Sequence, residues 1–204
     1  MLSEQGFDLW ADGYDKSVGL SDEDNTYPFA GYKAVLGHIY REVMQKSGAS
    51  VLDVGFGTGV LTSRLYKSGC TISGQDFSSC MIELAQSRMP GAQLYQGDFT
   101  KGLVPELDTL RYDFIISTYA LHHLTDRQKA DFIPHLLTLL NPGGQLLIGD
   151  VAFAAQADLD TCRLAAGDDW DEEEFYFVAE SMTELKPFCF TPLSHCAGVL
   201  AWKR

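Results

Sequence analysis

Two periodicities of apolar residues alternate along the middle of the chain. Short apolar runs predict buried strands at residues 50–56, 70–76, 92–98, 112–120 and 143–151. Segments with helical spacing lie between them, at residues 59–68, 78–89 and about 126–140. Strands that alternate with helices predict an α/β fold, in which helices cover both faces of a mostly parallel sheet.

The third of these helices carries start and stop signals. Thr125 and Gln128 have the spacing of a capping box, which satisfies backbone N–H groups at a helix start. Pro134 removes one backbone donor inside the helix and predicts either a kink or a shifted start. Residues 141–144, NPGG, predict the stop and a turn into the next strand.

The amino-terminal region, residues 1–48, begins with aromatic and acidic residues and takes on helical spacing from about Pro28. Val35, Ile39 and Val43 share one face of this predicted helix. The region also holds aromatic residues that fit either a lid over a substrate or the core, namely Trp10, Tyr14, Tyr27 and Tyr32.

The carboxy-terminal region, residues 152–204, predicts a helical segment followed by two short strands. Its acidic run at 168–175, DDWDEEEF, is typical of a solvated loop, and a lip that favours cationic substrates is the alternative. Neither a repeat nor a low-complexity linker separates the regions. We therefore expect one domain over residues 1–204, with its core at 49–151.

The composition limits the function classes. The chain has 28 Asp and Glu residues against 15 Lys and Arg residues and a net charge of −13, which argues against a nucleic-acid partner. Its start lacks the pattern of a secretion signal, and no long apolar run predicts a membrane span. Five scattered cysteines without a Cys-x-x-Cys pair are typical of reduced thiols, so we expect a cytoplasmic protein without structural zinc.

A glycine-rich turn at residues 50–62, SVLDVGFGTGVLT, separates the first strand from its helix. Such turns typically hold a nucleotide at the helix amino terminus. The dinucleotide pattern Gly-x-Gly-x-x-Gly would need a third glycine at Val60, and no Gly-Lys-Ser/Thr follows. The spacing therefore disfavours a nicotinamide-dependent oxidoreductase, which stays as an alternative.

The segment LDVGFGTG resembles the first motif of the class I S-adenosylmethionine-dependent methyltransferases. The resemblance continues in order to about residue 150, through SGQDFS, YQGDF, YDFIISTYALHHL and LLNPGGQLLIGD. It implies a Rossmann-like fold with a mostly parallel seven-stranded sheet, S-adenosyl-L-methionine as cofactor and S-adenosyl-L-homocysteine as product. FDLWADGYD and STYALHHLTD are most similar to small uncharacterised methyltransferases of low-GC Gram-positive bacteria.

The resemblance also implies a set of cofactor-binding residues. Asp76 would accept hydrogen bonds from both ribose hydroxyls, as charged acceptors do well. Asp98 would take the adenine amino group, and Phe99 would pack by the ring. Ser117 and Thr118, at the end of the fourth strand, would line the methionine end. The first motif adds Asp53, Gly55, Gly57 and Gly59.

Asp53 and a further acid, Asp150, leave alternatives open on chemical grounds. Asp53 fits a cofactor ligand and equally an acid that holds the turn through local backbone N–H groups. Asp150, at the end of the fifth strand, is a possible metal or substrate ligand, but a metal site needs partners that the sequence does not identify. We therefore predict no metal site.

The acceptor side of the site is expected where the fourth strand ends, because ligands of open parallel sheets bind there. Tyr119, His122 and His123 are the candidates for substrate contact or proton removal, since histidine titrates near neutral pH. A simple strand-to-helix linker explains the two histidines equally well.

These patterns together predict an enzyme that transfers a methyl group to a small-molecule acceptor by in-line attack, in which positioning supplies most of the catalysis. A binding protein that keeps the cofactor pocket without catalysis, as a sensor or partner subunit, is the second hypothesis. The sequence does not identify the acceptor or the oligomeric state.

Overall fold

The structure is a computed structural model that describes residues 25–204, so Trp10 and Tyr14 lie outside the described residues. Its helices are α1 (Tyr32–Val43), α2 (Val60–Lys67), α3 (Ser79–Arg88), α4 (Pro105–Asp108), α5 (Asp126–Thr138) and α6 (Gln156–Ala166). Its strands are β1 (Ser50–Val54), β2 (Thr71–Asp76), β3 (Gln93–Gln96), β4 (Tyr112–Thr118), β5 (Leu140–Phe153), β6 (Phe177–Val178), β7 (Cys189–Pro192) and β8 (Ala197–Lys203).

The sheet in residues 25–204 has the order β3-β2-β1-β4-β5-β8-β7, and β6 pairs with β5. All pairs are parallel except those of β8, which is antiparallel to β5 and β7. The predicted α/β fold is confirmed, with β6 as a short addition to the seven strands. Because β1 lies between β2 and β4, the winding direction reverses there and opens a crevice at the carboxyl ends of these strands.

Alternate residues of the strands face two separate apolar clusters, as the pleat of a strand requires. On β5, Leu147 belongs to one cluster, while Leu146 and Ile148 belong to the other. The first cluster contains buried residues of α1, α2, α3 and α6, and the second contains those of α4 and α5. None of the helices in residues 25–204 combines the length and the apolar character that a bilayer span needs.

Helix α1 packs on the sheet through the predicted face. Val35, Ile39 and Val43 have no exposed surface, so this prediction is confirmed. Gly149 on β5 permits the close approach, because a Cβ atom there would lie 2.4 Å from Val35 Cγ1. The helix begins at Tyr32, so the start predicted at about Pro28 is wrong and Pro28 precedes the helix.

The capping box that precedes α5 is confirmed. Thr125 Oγ1 accepts from the Gln128 amide, and Gln128 Oε1 accepts from the Thr125 amide. The helix starts at Asp126 with Pro134 inside it, so the proline does not shift the start.

The predicted turn at residues 141–144 is wrong, because these residues lie within β5. They cause a register shift against β4 between Tyr112 and Phe114. The backbone is held by the chain end: Gly143 donates to the Arg204 carbonyl, and the Arg204 amide donates to Gly144. This pairing with a distant segment cannot be read from the local motif.

Candidate functional site

A cavity of about 400 Å³ opens at the carboxyl ends of β1, β2 and β4. Most of the residues predicted for the site line it, namely Gly55, Gly57, Asp76, Asp98, Phe99, Tyr119, His122 and His123. Three predicted residues do not line it, namely Asp53, Gly59 and Ser117. The crevice at the strand reversal therefore coincides with the predicted site.

The glycine turn forms one wall of the cavity. Gly55 has a φ of 74°, and a Cβ atom there would lie 2.5 Å from Ala120 Cβ and 3.4 Å from Phe99 Cε1. Both the left-handed backbone and the contact exclude a side chain. The turn therefore lies directly against the segment that follows β4.

Asp76 connects the end of β2 to the same turn. Its Oδ2 accepts from the Gly57 amide at 2.7 Å, and its Oδ1 accepts from the Ser78 amide at 3.0 Å. These two bonds fix the Asp76 side chain at the cavity wall.

Asp98 lies in the turn after β3 and has its own set of donors. It accepts from the Thr100 amide at 3.0 Å and from the Thr100 hydroxyl at 2.6 Å, and Lys101 Nζ lies 3.0 Å away. Desolvation raises the pKa of Asp98, but the bonds from Thr100 and Lys101 outweigh it, so its pKa lies below the ordinary value. The carboxylate is ionised at neutral pH.

The loop that carries Asp98 is held from beneath by Gln75, a fully buried residue of β2. Its side-chain nitrogen donates to the Gly102 carbonyl at 3.0 Å, and its oxygen accepts from the Val104 amide at 2.8 Å. The two bonds span the loop and fix its distance from the sheet. No sequence motif indicated this role for Gln75.

Asp53 is buried behind the glycine turn. Its Oδ2 accepts from the Thr62 hydroxyl on α2, and its Oδ1 has no hydrogen-bond partner within residues 25–204. Burial raises the pKa of Asp53 to about 7, and the charge of Asp76 adds to this despite the Thr62 bond. Asp53 therefore links the strand end to α2 through the Thr62 hydroxyl, and the bonds from local backbone N–H groups that the sequence suggested are not among its contacts within residues 25–204.

Gly59 and Ser117 serve packing in the structure. A Cβ atom at Gly59 would lie 3.1 Å from Met89 Cε and 3.3 Å from Ala85 Cβ, so Gly59 lets α2 approach α3. The Ser117 hydroxyl donates to the Val54 carbonyl at 2.7 Å and is buried between β4 and β1. Of the two residues predicted for the methionine end, Thr118 lines the cavity, whereas Ser117 is not in the lining.

His122 forms a short contact with Asp150 at the opposite wall. His122 Nδ1 lies 2.6 Å from Asp150 Oδ1, and Asp150 Oδ2 has no hydrogen-bond partner within the described residues. Burial lowers the pKa of His122, but the negative charges of Asp150 and Glu174 outweigh it, so the net direction is upward. Asp150 thus orients His122, a role that the sequence left open.

His123 contacts Glu174, which the sequence motifs did not single out. His123 Nδ1 lies 2.9 Å from Glu174 Oε2, and His122 Nε2 lies 3.8 Å from the same oxygen. Burial raises the pKa of Glu174, but the two histidines lower it by a larger amount. The pKa of Glu174 therefore lies below its ordinary value. Its only sequence signal was the acidic run at 168–175.

The acidic run closes one side of the cavity. Asp169, Asp171 and Glu174 line it, although the prediction of a solvated loop favoured none of them for the site. Lys129 on α5 anchors the segment, since its Nζ donates to the Phe175 carbonyl and lies 4.3 Å from the centre of the Phe177 ring. The solvated-loop prediction is therefore incomplete.

Aromatic side chains join the acidic run to the amino-terminal region. Tyr27 stacks on Trp170 with ring centres 5.0 Å apart, and its hydroxyl contacts that of Tyr176 and accepts from the Asp171 amide. Tyr27 and Tyr32 both line the cavity and both pack against the first apolar cluster, so the lid and the core role stay predictions. Tyr119 has a φ of 50°, uncommon for an aromatic residue, and packs against Tyr32 at 5.2 Å between ring centres.

Comparisons with known proteins agree with this geometry. A family described as "Methyltransferase domain" matches residues 51–144. An uncharacterised methyltransferase of Anoxybacillus flavithermus is 40% identical over 147 residues, which is 72% of this chain and 66% of that protein. An uncharacterised methyltransferase of Oceanobacillus iheyensis is 38% identical over 161 residues, covering 77% of this chain and 72% of the relative.

A solved structure shows the same fold at lower sequence identity. The magnesium protoporphyrin IX methyltransferase of Synechocystis, crystallised with S-adenosylhomocysteine, has a TM-score of 0.66 and 18% identity, covering 86% of this chain and 84% of that chain. The relatives confirm the resemblance to methyltransferases of low-GC Gram-positive bacteria. The chain belongs to the class I S-adenosylmethionine-dependent methyltransferases, and S-adenosyl-L-methionine is its cofactor.

Proposed function

We propose that this methyltransferase acts on a small-molecule acceptor, which binds beside the cofactor in the described cavity. One observation carries the proposal: a single cavity joins the cofactor-side acids Asp76 and Asp98 to the side chains of Tyr119, His122 and Glu174. Its volume of about 400 Å³ lies within the usual range of roughly 300–1,000 Å³ for small-molecule sites.

On the cofactor side, the proposal assigns binding roles from the observed contacts. Asp76 accepts the ribose hydroxyls, because the Gly57 amide anchors its carboxylate at the cavity wall and a charged acceptor binds hydroxyl groups well. Asp98 accepts the adenine amino group and Phe99 packs on the ring, while Gly55 and Gly57 allow the backbone to approach the cofactor. Thr118, which lines the cavity, contacts the methionine end.

On the acceptor side, catalysis rests mainly on alignment of the acceptor atom with the methyl group. Tyr119, His122 and His123 face the cavity and form the acceptor wall. Asp150 fixes the His122 ring by its contact with Nδ1, so Nε2 is the ring nitrogen left for the cavity side. A fixed ring of this kind can contact the acceptor or influence its protonation.

Three observations support the finer parts of the proposal. Among residues 25–204, the lining contains acids and aromatic rings but neither Lys nor Arg, which disfavours a nucleic acid. All five cysteines are free, as is usual for reduced thiols in the cytoplasm. Tyr27, Asp76 and Glu174 come from the three predicted regions and line one cavity, which supports a single domain.

The first test is thermal unfolding of the protein with S-adenosylmethionine, S-adenosylhomocysteine or NADH in large excess. A ligand at about a hundred times its dissociation constant adds roughly 2.7 kcal/mol, or about 5–10 °C for a chain of this size. We expect a shift with both adenosyl compounds and none with NADH.

The acceptor class needs a transfer experiment with methyl-labelled S-adenosylmethionine. A panel of hydroxyl, thiol and amine compounds is compared with tRNA, and the fate of the label is followed by mass spectrometry. Label on a small molecule supports the proposal. Label on tRNA alone contradicts it, and cofactor binding with no transfer to any acceptor favours the sensor hypothesis.

A further inference from the structure

His122, His123 and Glu174 bring three metal-ligand atoms together on the acceptor wall. One ligand atom from each residue lies within 4.8 Å of the other two. Glu174 Oε2 is 2.9 Å from His123 Nδ1 and 3.8 Å from His122 Nε2. Tetrahedral zinc with bonds of about 2.0–2.1 Å places its ligand atoms about 3.3 Å apart, a value between these two distances.

Asp150 supports His122 in the way that a ligand histidine is usually supported. A metal-binding imidazole donates its other N–H to a carboxylate, which fixes the tautomer and the ring orientation. His122 Nδ1 makes this contact to Asp150 at 2.6 Å and leaves Nε2 directed to Glu174. Asp150 is fully buried, so its charge acts on His122 without much screening by solvent.

The local charges also suit a cation. Asp150 and Glu174 face the two imidazoles, and the ammonium group near them, Lys129 Nζ, is paired with Asp126 at 3.3 Å. Two imidazoles and one carboxylate suit zinc, cobalt or manganese better than magnesium, which prefers oxygen ligands.

We propose that His122, His123 and Glu174 bind a divalent transition metal ion of the zinc type at the acceptor wall, with Asp150 as the residue that positions His122. Three protein ligands leave a coordination position open, as in catalytic zinc sites. All three ligands line the cavity, so the open position is available to an acceptor that carries oxygen. This extension rests on the proposed function, and it reverses the expectation from sequence that no metal is bound.

The chemistry for a hydroxyl acceptor is then defined. A metal-bound hydroxyl ionises more readily and passes its proton to solvent. A lone pair of the resulting oxygen anion forms the bond to the methyl carbon, and the carbon–sulfur bond breaks onto sulfur to give S-adenosylhomocysteine. No oxidant or reductant takes part.

The test uses the full chain after removal of metals with a chelator. Zn²⁺ or Co²⁺ alone is titrated calorimetrically, and S-adenosylhomocysteine is titrated in parallel. We expect one metal equivalent per chain. The variants His123→Gln and Glu174→Gln should each weaken metal binding at least tenfold, and Asp150→Asn should weaken it by about 10- to 100-fold.

Two control variants separate this site from others. Glu172→Gln changes a neighbouring acid that is paired with Arg163 and does not line the cavity, so metal affinity should stay unchanged. Cys196→Ser tests the second cluster of metal-ligand side chains within residues 25–204, which Cys162, His195 and Cys196 form. Burial raises the pKa of Cys196 to about 12, which opposes thiolate ligation there.

The outcomes are distinct. Absence of metal binding, unchanged affinity in Glu174→Gln, or loss of affinity in Cys196→Ser with a thiolate-to-cobalt absorption band would each overturn the metal site. Failure of S-adenosylhomocysteine to bind the wild-type protein would instead overturn the proposed cofactor contacts. Thermal unfolding of each variant confirms that it is folded.

Discussion

The Gly57 amide donates a 2.7 Å hydrogen bond to Asp76 Oδ2. This bond joins the glycine turn after β1 to the end of β2, so one carboxylate fixes the turn and faces the cavity. The proposed binding of the ribose hydroxyls therefore depends on a side chain whose position is set before the cofactor arrives.

Replacement of Asp76 by alanine should weaken the binding of S-adenosylhomocysteine. Loss of charged hydrogen bonds costs about 1.5–3 kcal/mol, which corresponds to roughly ten- to a hundredfold in affinity. Calorimetric titration measures the change. Asp131→Ala, at a mostly exposed helix position, is the matched control and should bind normally. Equal affinities in both variants would refute the assignment of Asp76.

Replacement of Gly55 by alanine should destabilise the protein more than the same change at Gly48. Both glycines have positive φ, at 74° and 64°, but a Cβ atom collides with Ala120 only at Gly55. Backbone strain costs about 1 kcal/mol in each variant, and the collision adds about 1–3 kcal/mol at Gly55. Urea unfolding compares the two, and equal losses would show that the Ala120 contact relaxes freely.

The Asp53→Asn variant should change how stability depends on pH. The folded pKa of Asp53, about 7, lies above its ordinary value of 3.8, so the native state binds the extra proton between these values. Wild-type stability therefore falls as pH rises from about 4 to 7, by up to about 4 kcal/mol for this group. The Asp53→Asn variant lacks this pH-dependent contribution to stability, because the amide does not titrate.

The measurement for Asp53 is the difference in free energy of unfolding between Asp53→Asn and wild type at pH 5 and pH 8. The free energy of unfolding of Asp53→Asn should increase relative to that of the wild type as the pH rises. Parallel stability curves would mean that the buried carboxyl has an ordinary pKa.

Asp113 should show the opposite dependence. Burial raises its pKa, but bonds from Lys46, Ser50 and Asn141 outweigh it and lower the pKa to about 2. The carboxylate therefore stabilises the fold above pH 4, and this contribution disappears as the pH falls through about 2. Asp113→Ala should lower the free energy of unfolding by about 1–2 kcal/mol at pH 7. The loss stays this small because Lys46 is largely exposed, so solvent screens its charge.

The control for Asp113 compares the wild type with Asp113→Ala at pH 2.5, where the difference in free energy of unfolding should be smaller than at pH 7. Urea unfolding at both pH values gives the comparison. A constant difference would assign the effect to packing and not to charge.

The residues proposed for the cofactor could be placed at the cavity from sequence because they lie in short motifs at strand ends. Asp76, Asp98 and Phe99 line the cavity where the strand order places them. The motif could not separate Ser117 from Thr118, because adjacent residues of a strand face opposite sides and only the folded sheet shows that Thr118 faces the cavity.

The acceptor side could not be predicted in the same way. The contact of His123 with Glu174 joins residues 51 positions apart through a loop without a regular pattern. The pairing of Asp150 with His122 needs the register of β5 beside β4, which only the folded sheet defines. Both depend on tertiary packing and leave no local signal.

The stacked pair of Tyr27 and Trp170 has an evolutionary consequence. Both residues lie outside the family match at 51–144, yet they join segments that line the cavity in which the acceptor is proposed to bind. Under that proposal, substitutions in these segments alter which acceptor is admitted and leave the residues proposed for the cofactor unchanged. We then expect relatives that agree over residues 51–144 to differ in their acceptor.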